Sequence, residues 1–174
     1  MDRLSKEQRH KNMAAIHSSG TKPEMIVRHY LFSHGFRYRV NSHRLPGKPD
    51  IVLTMFRTAI FVNGCFWHGH EGCKYFRLPK TNVEFWKGKI ERNRKRDAER
   101  QEQVARMGWH VLTVWECELR PKERLKTLQS LEYTLNLLFM RDHDSRRVEP
   151  IKPENELPLA AEPESVPYGK KKTK

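Results

Sequence analysis

Cysteine is scarce, with three in 174 residues. An odd, sparse set is no disulfide framework, and sparse cysteines near histidines in a reducing compartment more often mean metal than cross-links. Long apolar runs are missing too: no stretch approaches the roughly 20 residues of a bilayer span, and the N-terminal MDRLSKEQRHK lacks a signal-peptide core. The expectation is a soluble, cytoplasmic protein with no membrane role. Acid is also short, because 21 Asp and Glu stand against 34 Lys and Arg, a formal net charge of +13. A surface that basic attracts a polyanion before any specific contact forms, so nucleic acid is the first partner to consider. Internal repeats are absent, and the length suits one domain with a hydrophobic core.

What is present reads as helices and strands in alternation. LSKEQRHKNMAAIHS at 4–18 carries Leu4, Met13, Ala14 and Ile16 among polar residues, a weakly amphipathic helix whose apolar side chains can serve a partner. Pro23 and Glu24 open PEMIVRHYLFSHG, with Ile26, Val27, Tyr30 and Leu31 at helical spacing and Gly35 as C-terminal cap. FRYRV at 36–40 alternates with period two, and after LPGKP the runs DIVLT and TAIFV predict strands flanking an MFR turn. A long polar helix is expected from Asn82 to Met107, ended by Gly108, then a strand WHVLTVW at 109–115 and a helix at 121–140. Used as a crossover, the long helix makes TAIFV and VLTVW parallel neighbours in a mixed α/β sheet with helices on its faces. The domain is expected to span 1–140, with its N-terminal helix in 1–20, and the Pro- and Glu-rich 141–174 is expected to be a disordered, charged tail.

Cys65, His70 and Cys73 have the spacing C-x4-H-x2-C, and parallel strands would bring Cys117 to the same sheet edge as Cys65. Three thiolates and one imidazole form a closed tetrahedral set that suits a structural Zn²⁺, fixing a loop that contains Gly64, Gly69 and Gly72. The plainer alternative is two unrelated core cysteines and a surface histidine. Spacing also leaves open whether His68 or His70 completes the set. Pro49-Asp50-Ile51-Val52-Leu53 puts a carboxylate at a strand entrance, where a nuclease needs one to hold Mg²⁺ against the scissile phosphate. Pro-Asp is equally ordinary turn chemistry. Glu24 offers a second acid, although a carboxylate at a helix start is also explained by the macrodipole. If His70 is the ligand, His68 is left as an imidazole able to act as general base near neutral pH.

PGKPD at 46–50, FVNGCFWHGH at 61–70, EFW at 84–86 and VWEC at 114–117 resemble the very short patch repair endonucleases, over about Ser5 to Leu138. The resemblance implies a restriction-endonuclease-like α/β core with a mixed central sheet and a structural zinc at Cys65, His70, Cys73 and Cys117. It also implies Mg²⁺-dependent nicking of double-stranded DNA 5′ of the thymine in a T:G mismatch, the product of 5-methylcytosine deamination. By the same resemblance Asp50 binds magnesium beside the main-chain carbonyl of Val62, His68 activates the attacking water, and Glu24 is an acid near the metal-bound water. One position departs: relatives often have a histidine where this chain has Asn63, which can donate a hydrogen bond to a phosphate but cannot shuttle a proton in this pH range. Asp97 matches the polar partner expected of that histidine. HGHEGC is also one residue longer between its last two ligands than in some relatives.

Apolar side chains wedged between base steps kink a duplex, and a mispaired step resists less than a Watson–Crick one. The resemblance assigns that wedge to Phe66, Trp67 and Trp86, with Met13 and Ile16 approaching from the opposite groove and Lys89 and Asn93 near the mispaired bases. Without it, Phe85 and Trp86 would be assigned to the core. Lys89, Arg92, Arg96 and Arg100 step by three and four along the long helix as a basic stripe suited to phosphates, or else as one solvated face among Glu91, Asp97, Glu99 and Glu102. A monomer suffices to nick one strand, and mismatch-repair proteins are possible partners. The alternatives are a zinc-stabilised DNA-binding module without cleavage, or a related nicking enzyme of different mismatch specificity.

Overall fold

The computed structural model describes residues 19–147 together with Ser5, Glu7, Gln8 and Lys11. Met13 and Ile16, and the tail from residue 148 on, lie outside the described residues. Helix α1 (Lys22–Ser33) starts where the sequence puts a cap: Thr21 and Glu24 form a capping box and Pro23 sits in the first turn. Its inward face is Glu24, Val27, Arg28 and Leu31, two apolar and two charged residues.

Strand β1 is shorter than the alternation predicts, only Arg39–Val40. Phe36 is the reason, because its N–H donates to the Leu31 carbonyl at 3.0 Å and its ring is buried, so the chain there completes the helix end instead of joining the sheet. β2 (Ile51–Leu53) and β3 (Thr58–Asn63) form the expected antiparallel pair, in register Ile51 with Ile60. The long helix α2 (Val83–Arg106) crosses over to β4 (His110–Trp115), which runs parallel to β3 from Thr58 beside His110 to Asn63 beside Trp115. A 3-10 turn (Glu116–Leu119) leads to α3 (Arg124–Arg147), which extends beyond the run to 140 that spacing predicts. Among the described residues the four strands make one mixed sheet in the order β1-β2-β3-β4, the α/β architecture of a restriction-endonuclease-like core.

Every residue of β3 is buried, because the sheet is covered on both faces. Ile60 and Val62 join Val27 and Leu31 of α1 and Leu128, Leu131 and Leu135 of α3. Ala59 and Phe61 point the other way, to Leu45, Val52 and Val104 of α2. Truncating a fully buried leucine such as Leu31 or Leu135 would cost about 2–5 kcal/mol. No described helix is long and apolar enough to cross a membrane. What the fold supplies to chemistry is the parallel β3–β4 pair, whose C-terminal ends lie side by side and release Cys65 and Cys117 at one sheet edge.

Candidate active site and metal centre

Beyond β3 the chain folds into tight turns: His68 N–H donates to the Gly64 carbonyl at 3.2 Å and His70 N–H to the Cys65 carbonyl at 3.0 Å. Gly69 makes this loop possible. It has φ +60°, and a Cβ there would lie 2.5 Å from Ile90 Cγ2 of α2, so only glycine lets the loop close on the helix. The result gathers Cys65, His70, Cys73 and Cys117 with their ligand atoms all within 4.8 Å of one another. His70 Nδ1 lies 3.7 Å from Cys65 Sγ and 3.4 Å from Cys117 Sγ. A tetrahedron with metal–sulfur bonds of about 2.3 Å and metal–nitrogen bonds of about 2.0 Å has edges of about 3.5–3.8 Å, so these donors fit one ion with little movement. The His70 ring is fixed by stacking on Trp115, centroids 4.0 Å apart and planes 1° from parallel. Burial raises the pKa of the Cys65 thiol, so a cation would be needed to draw off its proton at neutral pH.

Of the two candidate histidines, His70 joins the cluster and His68 does not. His68 Nδ1 lies 2.5 Å from Asp97 Oδ2, and Arg96 donates to the other oxygen of that carboxylate at 3.0 Å. Asp97 is held below the usual carboxylate range by His68 and Arg96 although burial pushes the other way. It therefore partners His68, not the residue at position 63 as the resemblance implies. No local pattern shows this pair, because its members are 29 residues apart on a loop and a helix.

Asp50 stands at the entrance of β2, where Val62 N–H donates to its Oδ2 at 2.7 Å. Burial pushes its carboxyl up to about 6; the Val62 N–H opposes this, Glu24 adds to it, and Arg28 and His68 pull it down. Asn63 is buried at the end of β3. Glu24 is only 3% exposed, and four donors surround it: Gly20 N–H at 2.9 Å and Arg28 Nη2 at 2.7 Å on Oε2, and Thr21 N–H at 3.3 Å and Thr21 O–H at 2.8 Å on Oε1. Arg28 Nη2 also reaches the main-chain carbonyl of Asp50 at 3.3 Å. The sequence pattern treats Arg28 as one more residue of an amphipathic helix and gives it no role.

Beside the loop, Phe66, Trp67 and Trp86 pack edge to face with centroids 5.1–6.0 Å apart. Lys89 Nζ lies 5.4 Å from the centres of Trp67 and Trp86, within reach of a cation–π contact. The core assignment of Phe85 and Trp86 does not hold: Phe85 is 56% exposed and Trp86 half-buried in this aromatic cluster. They pack on the loop aromatics because α2 meets the sheet only farther along, through residues such as Val104. Asn93 Nδ2 donates to the Trp67 carbonyl at 2.9 Å, tying α2 to the loop. Arg92, Arg96 and Arg100 are exposed along α2.

Residues 1–74 match the family described as DNA mismatch endonuclease Vsr. Over 120 residues the chain is 48% identical to the type II nicking enzyme V.NmeAIP of Neisseria meningitidis, covering 67% of this chain and 85% of that one. It is likewise 48% identical over 118 residues to V.XorIIP, a type II nicking enzyme of Xanthomonas oryzae pv. oryzae, covering 68% and 86%. The DNA mismatch endonuclease Vsr of Escherichia coli K12 is 43% identical over 120 residues, covering 69% of this chain and 76% of that one. With a Cys/His cluster fit for a metal and a histidine–carboxylate pair at the same end of its sheet, this chain belongs to the Vsr family of DNA mismatch endonucleases.

Proposed function

We propose that the protein nicks one strand of duplex DNA on the 5′ side of the thymine in a T:G mismatch, using Mg²⁺ for chemistry and Zn²⁺ for structure. The observation that carries this reading is the division between the two histidines: His70 sits with the three cysteines, while His68, excluded from them, is held by Asp97. A general base must stand apart from the metal set, because the second ring nitrogen of a metal-ligating imidazole carries a proton and cannot accept one from water.

In this reading the zinc set Cys65, His70, Cys73 and Cys117 is structural and leaves no open position. Asp50, with the main-chain carbonyl of Val62, would hold magnesium, which would neutralise charge on the scissile phosphate. His68 takes the proton of the attacking water. Asp97 keeps Nδ1 of His68 as the donor and so leaves Nε2 free to accept that proton, the same orienting task a carboxylate performs in other histidine bases. Asn63 offers the phosphate a hydrogen bond, and Glu24 places negative charge behind Asp50. Phe66, Trp67 and Trp86 provide a stacking surface for the opened base step, with Met13 and Ile16 on the other groove. Lys89, Asn93 and Arg96 approach the DNA from α2. The cation–π contacts of Lys89 support this placement, because they hold a positive charge at the edge of the aromatic cluster. The expected boundary at 140 moves to the end of α3, because Asp142 pairs with His110 of β4; residues 1–147 would act as one monomeric catalytic domain in the cytoplasm, with mismatch-repair proteins as partners and 148–174 outside the chemistry.

The test is a nicking assay on T:G, U:G and matched duplexes in several flanking contexts, with and without Mg²⁺ and with Asp50→Ala as control. Metal-dependent cleavage confined to the T:G duplex is expected. Binding without a metal-dependent nick would favour a zinc-stabilised binding module. A second reading, nicking with a different mismatch preference, is favoured by relatives named as type II nicking enzymes, and the U:G and matched arms decide it.

A further inference from the structure

The carboxylate of Glu24 is already held by four protein donors. A carboxylate offers about four lone-pair directions, and Gly20 N–H, Thr21 N–H, Thr21 O–H and Arg28 Nη2 occupy them. The Glu24–Arg28 pair is also buried, with 3% and 8% exposure, unlike the usual solvent-facing pair one helical turn apart. Arg28 Nε has no acceptor among the described residues, so the guanidinium sits there at a penalty that an exposed pair would avoid. What that position gains is reach: Nη2 bridges Glu24 Oε2 to the carbonyl of Asp50, 22 residues away in the chain.

Asp50 is thereby held from three directions. Arg28 and Asn41 N–H donate to its carbonyl at 3.3 and 3.4 Å, and Val62 N–H donates to its carboxylate. The far side of the clamp is anchored as well, because the Tyr38 hydroxyl donates to the Arg28 carbonyl at 3.0 Å.

We propose that Glu24 and Arg28 form one positioning unit, in which Glu24 fixes the guanidinium and the guanidinium fixes the main chain of Asp50, so that Glu24 serves the metal site through Arg28. This rests on the reading of Asp50 as the magnesium ligand. Misplacing a reacting or ligating group by about 1 Å can cost roughly 10²-fold, so a tether on the ligand's own backbone is enough to control rate.

A double-mutant cycle on the full chain tests it with Glu24→Gln, Arg28→Met, their combination, and Arg28→Lys. The measurements are the nicking rate at saturating Mg²⁺, the half-saturating Mg²⁺ concentration, and Mg²⁺ binding to the DNA-free protein by calorimetry, with melting temperature and zinc content as fold controls. Glu24→Gln and Arg28→Met are each expected to lower the saturated rate about 10- to 100-fold and to weaken Mg²⁺ binding, and the double variant to be no worse than either, since members of one unit do not add. Arg28→Lys keeps the charge on a shorter stem, so it should keep the wild-type melting temperature while losing rate and Mg²⁺ affinity; it carries the test if Arg28→Met fails to fold. Wild-type rate and Mg²⁺ affinity in Arg28→Lys, or losses that multiply in the double variant, would overturn the proposal. Full nicking by Asp50→Ala would instead sink the magnesium assignment beneath it.

Discussion

The loop from Cys65 to Cys73 and the acid corner at Gly20–Glu24 and Asp50 flank the same end of β3, yet they are fixed by opposite means. In the loop, four side chains from distant positions converge into a set of donors close enough to share one cation. In the corner, every charge already has a protein partner, and the anchor at Asp50 is a lattice of hydrogen bonds to main-chain groups. In the proposed reading an ion would lock the loop through side chains, whereas the corner is held by protein hydrogen bonds and would offer a carboxylate to a second ion. His68 belongs to neither set. It is aimed from α2 by Asp97, which makes the long helix the part that relates the two regions.

The widest gap between the regions should appear with Asp50→Ala. If the metal supplies several kcal/mol of charge stabilisation, nicking falls about 10³-fold or more, while zinc content stays unchanged; equal loss of both would show that the regions are not separate. Zinc removal should do the reverse. Stripping the ion with a strong chelator, or replacing Cys117 with Ser, is expected to lower the melting temperature by about 10 °C or more, taking about 3 kcal/mol as the ion's contribution. Wild-type melting and activity in metal-free protein would refute the structural-zinc assignment.

Asp97→Asn tests the bridge between the regions and should reduce the rate about 10²-fold, the scale of an oriented general base, with Mg²⁺ affinity and zinc content unaffected. The folded pKa of Asp97 is depressed, so its stabilising pairing is present above the ordinary carboxylate value and lost as pH falls below it. Asp50 behaves oppositely. Its folded value of about 6 exceeds the unfolded one, so the fold favours the protonated form, and stability falls as pH rises from about 4 to about 6. Asp50→Asn should therefore raise stability at pH 7 by about 1–3 kcal/mol while abolishing cleavage, and wild-type Mg²⁺ binding should weaken as pH drops below about 6. Calorimetric titration at pH 5 and 7.5 checks the second point; affinity independent of pH would contradict it. The smallest effect is expected from Gly69→Ala, which must push Ile90 aside at a left-handed backbone position, destabilising the loop side by about 1–3 kcal/mol and leaving Mg²⁺ binding at the corner nearly unchanged.

Local pattern made α1, α2 and α3, the β2–β3 hairpin and the parallel β3–β4 pair legible, because apolar period, caps and a crossover of sufficient length act over short stretches of chain. It misread the run at 36–40, where Phe36 is taken by the core and the helix end, and it assigned Phe85 and Trp86 to a core that α2 does not reach there. The sequence by itself determined which residues were available for metal and for DNA, since cysteine count, histidine spacing and the basic helix are properties of composition and order. Only the tertiary structure decided which histidine joins the cysteines, that Asp97 holds the other, and that Arg28 ties Glu24 to Asp50. Those choices depend on distances of a few ångströms between groups 22 to 47 residues apart, and such distances follow from how α1 and α2 pack on the sheet and how β4 lies beside β3.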